Sequence, residues 1–178
     1  MNRIVLIFFL ISAGLLLASN QVIAKVSDYK KAVNAYNRGD YGASHKLMRQ
    51  LAHNGFAKAQ YSLGVMYENG KGVDVSLKKA KKWFQLAAEQ GISNAQYKLG
   101  LVYLNGKGVE KDYSKAIKWW KLAAKKGNSK AQTYLGMMFE NGQGVPQDYN
   151  KAIKLYRQAV SAGNTKVREK LSLLLKKK

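Results

Sequence analysis

The sequence predicts an all-α fold, an α/α superhelical solenoid of helix-turn-helix repeats, and three observations carry that prediction. Alanine, leucine and lysine are abundant while proline occurs once, at Pro146, so little in the chain obstructs helices. Short glycine-containing segments interrupt the apolar pattern at regular intervals, as turns between helices do. Above all, the chain repeats itself: segments 59–94, 95–130 and 131–166 align at a spacing of 36 residues without a gap. A period of that length is the mark of stacked supersecondary units.

Taken in order, the chain opens with Arg3, an apolar run from Ile4 to Ala18 and a more polar stretch ending Val22-Ile23-Ala24. This is the layout of a secretory signal peptide. The apolar run, about 15 residues, is short against the ~20 needed to span a bilayer, which favours a cleaved leader over a retained anchor. Cleavage after Ala24 would start the mature chain at Lys25, and an exported location, periplasmic or secreted, is the expectation. The remaining region of about 150 residues fits one domain. Residues 25–58 read as an N-terminal capping partial repeat, with Ala32 to Arg38 a stub of a first helix and Asp40 to His53 a second. Residues 167–178 read as a capping helix with a basic tail.

Within each full unit the pattern is fixed. It opens with Ala-Gln at Ala59-Gln60, Ala95-Gln96 and Ala131-Gln132, followed by Leu-Gly at Leu63-Gly64, Leu99-Gly100 and Leu135-Gly136. An aromatic follows at Tyr67, Tyr103 or Phe139, and then a loop Asn-Gly-x-Gly-Val, at Asn69 to Val73 and its equivalents. Ser76, Asp112 or Asp148 supplies a side-chain oxygen that can cap the next helix. That helix carries an inward stripe: Ala80, Trp83/Phe84, Ala87/Ala88; then Ala116, Trp119/Trp120, Ala123/Ala124; then Ala152, Leu155/Tyr156, Ala159/Val160. Gly91, Gly127 and Gly163 stop it. No unit can bury its stripe alone, so neighbours must stack.

The unit AQYxLGxxYxNGxGV followed by DYxKAxKWWxLAA and a terminal glycine resembles the Sel1-like repeat, a relative of the tetratricopeptide repeat, over about Ala32 to Lys166. The resemblance implies α/α hairpins wound into a right-handed superhelix, used as adaptor scaffolds and, in exported bacterial members, often as periplasmic or host-contacting binding proteins. It implies no cofactor. Some cysteine-rich relatives are described as binding or hydrolysing β-lactams, but this chain has no cysteine, and that activity is not carried over.

The residues themselves offer little chemistry. Absence of cysteine excludes disulfide frameworks, thiolate metal sites and thiol nucleophiles. The loops Gly70-Lys71-Gly72, Gly106-Lys107-Gly108 and Gly142-Gln143-Gly144 superficially resemble phosphate cradles, yet they follow helices rather than strands and recur in every unit. Ser76 to Lys79 and Ser27 to Lys30 match Ser-x-x-Lys, but Ser76 holds a capping position and no partner motif is present. His45 and His53 lack a second ligand at helical spacing. Ten acidic residues leave few candidates for paired-carboxylate catalysis, and Glu68 and Glu140 fall in separate units. The expectation is a non-catalytic protein without metal or cofactor; hydrolysis of a cell-wall compound or β-lactam would need a nucleophile and base that the sequence does not supply.

Two surfaces remain for binding. On the first helices, the positions that vary between units are Ser62, Val65, Glu68; Lys98, Leu101, Leu104; and Tyr134, Met137, Glu140. Their spacing of three puts each trio on one helix face, and in stacked hairpins first helices line the concave wall. An exposed strip of Leu101, Leu104, Tyr134 and Met137 would suit a protein or peptide groove. On the second helices Lys79, Lys82; Lys115, Lys118, Lys121; and Lys151, Lys154, Arg157 form a basic ladder across the convex face. With a net charge of +21, acidic partners are expected: an acidic protein or peptide first, and an anionic lipid or glycan surface as the alternative. Export makes nucleic acid the least favoured of these.

Overall fold

The computed structural model describes residues 21–176, and every regular element in that span is helical. Helix α1 covers 21–37, followed by α2 (Tyr41–His53), α3 (Ala57–Asn69), α4 (Leu77–Glu89), α5 (Ser93–Asn105), α6 (Tyr113–Lys125), α7 (Ser129–Asn141) and α8 (Tyr149–Ser161). A 3-10 turn, Thr165–Val167, leads into α9 (Arg168–Lys176). Apart from residues 21–24, which are exposed at the start of α1, the expected leader lies outside the described residues. None of the described helices is long and apolar enough to cross a membrane.

Each helix packs against the next, and the tightest contacts lie inside the hairpins α3–α4, α5–α6 and α7–α8. The second helices begin where the sequence places a cap. Asp40, Ser76, Asp112 and Asp148 accept from the backbone N–H of Ala43, Lys79, Lys115 and Lys151 at 3.0, 3.4, 2.8 and 2.9 Å, relieving N–H groups that have no partner within the helix. The intervening loop is tied across its base, since the N–H of Ser76, Asp112 and Asp148 reaches the carbonyl of Tyr67, Tyr103 and Phe139. The first helices end at Gly70, Gly106 and Gly142 with φ of +67°, +65° and +65°, a left-handed conformation that side chains with a Cβ resist.

Close approach within each hairpin rests on one small-against-large pair. A Cβ on Gly64 would lie 2.6 Å from the Phe84 ring; Gly100 faces Trp120 and Gly136 faces Tyr156 in the same way. Phe84, Trp120 and Tyr156 are fully buried as a result. Counting back from the helix ends, Ala32 stands in α1 where Gly64 stands in α3, and it shares a core cluster with Met48 of α2. The opening unit is therefore complete in helices, and α1 is longer than the stub 32–38 expected from sequence. Nothing from 21 to 37 breaks a helix, and the connection to α2 is a short Arg38-Gly39-Asp40 turn in place of the glycine-rich loop.

Units are joined by a buried amide. The side-chain N–H of Gln60, Gln96 and Gln132 donates to the carbonyls of Ala52, Ala88 and Ala124, each the penultimate residue of the preceding second helix, at 3.2, 3.0 and 3.3 Å. The second residue of the repeated Ala-Gln pair thus satisfies a carbonyl of the neighbouring unit.

Candidate functional site: two walls of the solenoid

The nine positions singled out on the first helices do share one wall, spread over α3, α5 and α7, but none of them is exposed. The expected open apolar strip is corrected. Leu101, Leu104 and Tyr134 pack on the core around Trp120, Met137 packs on the core around Tyr156, and Val65 on the one around Phe84. Side chains reach from one first helix to the next across the gap between them. The Tyr97 and Tyr134 rings meet at a tilt of 56° across the α5–α7 boundary with centroids 5.7 Å apart.

The polar members of the set are paired as well. Lys98 of α5 bonds to Glu68 of α3 at 2.5 Å, with both side chains about three-quarters covered. Glu140 accepts the Tyr156 hydroxyl at 2.5 Å and pairs with Lys170 of α9 at 3.1 Å. Ser62 and Tyr29 of α1 bond through their hydroxyls at 3.1 Å. Burial, aided by the negative charge of Glu68, raises the Tyr61 hydroxyl pKa; burial and then Tyr134 raise that of Tyr97. Both therefore stay protonated donors through neutral pH.

Sequence reasoning missed one feature of this wall. Between α1, α2 and α3 lies a cavity of about 210 Å³ lined by Val33, Tyr36, Met48, Tyr61, Ser62, Val65 and Met66. Two of its residues, Ser62 and Val65, belong to the predicted set. The others were read as architecture or fell in the opening unit, where no second copy was available to show which positions vary.

On the opposite side all eight ladder residues are exposed. The first rung of each unit has structural company: Lys79, Lys115 and Lys151 stand over the rings of Tyr67, Tyr103 and Phe139 at 5.2, 5.5 and 5.4 Å. Lys115 and Lys151 also pair with the capping carboxylates of Asp112 and Asp148 at 3.0 and 2.9 Å. The backbone and side-chain N–H groups of those lysines hold Asp112 and Asp148 below the usual carboxylate pKa.

Two of the three glycine loops bear tightly on the preceding unit, while Gly108 in the middle loop is exposed and only loosely faced by Leu77. A Cβ on Gly144 would stand 2.5 Å from that of Tyr113 at the start of the previous second helix, and Gly72 lies equally tight against Tyr41. Ser76 is a cap, its Oγ engaged by the Lys79 backbone. His45 and His53 pack edge-on against Tyr67 and Trp83. Among the described residues no three His, Asp or Glu side chains converge.

A family model described as Sel1 repeat matches residues 57–92, 93–128 and 129–164, each window opening two residues before the Ala-Gln pair. The structure is similar to that of a Sel1 repeat protein from Oxalobacter formigenes, with a TM-score of 0.76 and 29% identity, over 80% of this chain and 59% of that one. It is also similar to a protective antigen of uropathogenic Escherichia coli strains that displays an SLR fold, with a TM-score of 0.79 and 29% identity, over 84% of this chain but 33% of the antigen. Helicobacter pylori cysteine rich protein B shares the fold at 24% identity and a TM-score of 0.55, over 68% of this chain and 92% of that one. The chain thus spans less than two thirds of the length of the first two relatives, and no curated protein matches it significantly. With three matched units covering well over half of its length, and the glycine-to-aromatic contact repeated in each, the chain belongs to the Sel1 repeat family.

Proposed function

We propose that this protein is an exported, non-catalytic scaffold that holds a protein segment against the concave wall of its first helices. Sel1 repeats generally serve protein–protein interaction and are typically non-catalytic, and membership of the family supports that reading of this chain. The finer reading rests on the cavity between α1 and α3, whose lining is mostly apolar and includes Tyr36 and Tyr61. Tyrosines that combine a large apolar face with a retained hydroxyl donor are favoured anchors at protein interfaces. Its size suits one inserted side chain, and the half-buried ridge of Tyr97, Leu101, Leu104 and Tyr134 continues the wall toward α7. The leader motif at 1–24 supports export, and the excess of basic residues supports an acidic partner.

Filling the cavity tests this reading. The Ser62→Trp variant should lose a partner captured from envelope or culture-medium extracts, while the unaltered chain keeps it at high salt. A partner retained equally by both would remove the cavity from the site. A second reading, docking of the basic ladder on an anionic lipid or glycan surface, is supported by the exposure of all eight ladder residues. It predicts capture that fades between low and moderate ionic strength, as screening sets in.

A further inference from the structure

The basic wall is not uniform. Between α2 and α4 it sinks into a cleft of about 290 Å³ lined by Arg49, His53, Tyr67, Lys79, Lys82 and Trp83. Trp83 is nearly fully buried and forms part of the floor, with the His53 ring edge-on to it at 5.1 Å, while Tyr67 lies under the Lys79 ammonium. Arg49, His53, Lys79 and Lys82 are exposed, and no carboxylate belongs to the lining.

Comparison with the equivalent places in the other units shows what sets this cleft apart. One period on, Arg49 and His53 become Gln85 and Glu89, which bond to one another at 3.0 Å, so a carboxylate enters the basic group. Two periods on, Tyr67 and Trp83 become Phe139 and Leu155. In both later units the first-turn lysine is tied to a capping aspartate, Lys115 to Asp112 and Lys151 to Asp148. Here the cap is Ser76, a neutral residue, and among the described residues Arg49, Lys79 and Lys82 form no ion pair. Three permanent cations and an ionisable imidazole therefore gather at a concave spot with nothing to balance them.

We infer that the α2–α4 cleft binds a phosphate monoester dianion, gripped by the Arg49 guanidinium and the Lys79 and Lys82 ammonium groups, with His53 as a fourth donor when protonated. A doubly charged oxyanion balances this cluster better than a single carboxylate does. The planar fork of Arg49 matches two phosphate oxygens at once, while the lysines act as movable point charges. The cleft is smaller than a site for a drug-sized molecule, so the phosphate head is what it holds and the rest of the ligand projects outward. A neighbouring group already registers the local field: burial first, then the positive charges of Arg49 and Lys79, hold the His45 imidazole below its ordinary pKa. The inference deepens the second reading above, sharing Lys79 and Lys82 with the ladder, but it requires a site rather than a uniformly charged wall.

The chain has two histidines, and both report on this cleft. Their pKa values are to be followed by proton NMR as inorganic phosphate replaces chloride at constant ionic strength. Saturable upward shifts at both imidazoles are expected, abolished by Arg49→Gln combined with Lys82→Gln and preserved by Lys118→Gln combined with Lys154→Gln. All four altered positions are exposed, and unchanged thermal melts will show that neither variant has lost its fold. Shifts absent, linear in concentration, or equal in the two double variants would overturn the site. Loss of vesicle binding in the Lys118/Lys154 variant with the histidine shifts intact would separate ladder attraction from the cleft. A parallel arm uses phosphatidylcholine vesicles with and without phosphatidate. Phosphatidate-dependent binding that inorganic phosphate displaces assigns the dianion to a lipid headgroup, whereas histidine shifts without such binding assign it to a soluble phosphate ester.

Discussion

Gly64 leaves no room for a Cβ, which would stand 2.6 Å from the Phe84 ring, and Gly100 and Gly136 are as closely faced by Trp120 and Tyr156. A Gly64→Ala substitution is therefore expected to destabilise by about 1–3 kcal/mol, the usual cost of overpacking, despite alanine's better helix propensity. The opening unit uses Ala32 and Met48 in the same two places, so Gly64→Ala joined to Phe84→Met should recover part of the loss. Urea unfolding of the single and double variants measures both. The capping aspartates make stability depend on acid. Because Asp112 and Asp148 have native pKa values below the ordinary 3.8, their contribution is present above that pH and is lost as the pH falls below it through the lowered native values. Replacing both by serine, as nature has at Ser76, should flatten the dependence of the melting temperature on pH below 3.8. His45 acts in the same direction at higher pH. Its lowered native pKa means that the unfolded chain takes up the proton first, so stability declines as the pH falls below 6.5.

At the scale of helices, the buried glutamine is the joint between one hairpin and the next. Gln96 donates to the Ala88 carbonyl inside the core, and a Gln96→Leu variant would leave that carbonyl with one partner fewer. Because that carbonyl still accepts from the Gly91 N–H, a loss of about 0.5–1.5 kcal/mol is expected, measurable by thermal or urea unfolding. The ion pair between Lys98 and Glu68 joins the same two units on the first-helix wall. Partial burial should lift its coupling above that of a fully exposed pair, to on the order of 1 kcal/mol in a double-mutant cycle with alanine at each position. These positions were visible in the sequence in different degrees. Gln60, Gln96 and Gln132 announce themselves by recurring, as do Ala52, Ala88 and Ala124, but nothing in the period says that the first set bonds to the second. Lys98 and Glu68 do not recur, and their pairing appears only when α3 and α5 are set side by side.

Among the described residues most contacts run from each helix to its neighbour in the chain, supplemented by side-chain pairs such as Lys98–Glu68 between successive first helices, so stability should be close to a sum of nearest-neighbour terms. α9 seals the last hairpin by burying Leu174 beside Ile153 and Tyr156. Ending the chain at Asn164 should therefore lower the melting temperature and loosen α7 and α8 first, which hydrogen exchange by residue would show as protection lost at that end alone. Equal loss of protection in α3 and α4 would mean that the array folds as one cooperative block. The charge of the chain belongs to this scale too: eight exposed ladder cations on one wall should speed association with an acidic probe such as polyglutamate, and added salt should slow it.

The period of 36 residues, the caps at Ser76, Asp112 and Asp148 and the glycine stops were enough to determine the class of fold and the family, because those features act through local backbone geometry and recur in register. Helix periodicity also placed the nine first-helix positions on one face. It did not determine how near the next helix would come, and so an open strip was expected where Leu101, Leu104, Tyr134 and Met137 are half-buried. The cavity around Tyr61 and the cleft at Arg49 and Lys82 were decided by the tertiary structure alone. Each draws residues from helices of different units, and the spacing between such helices is set by side-chain packing, which no single repeat encodes.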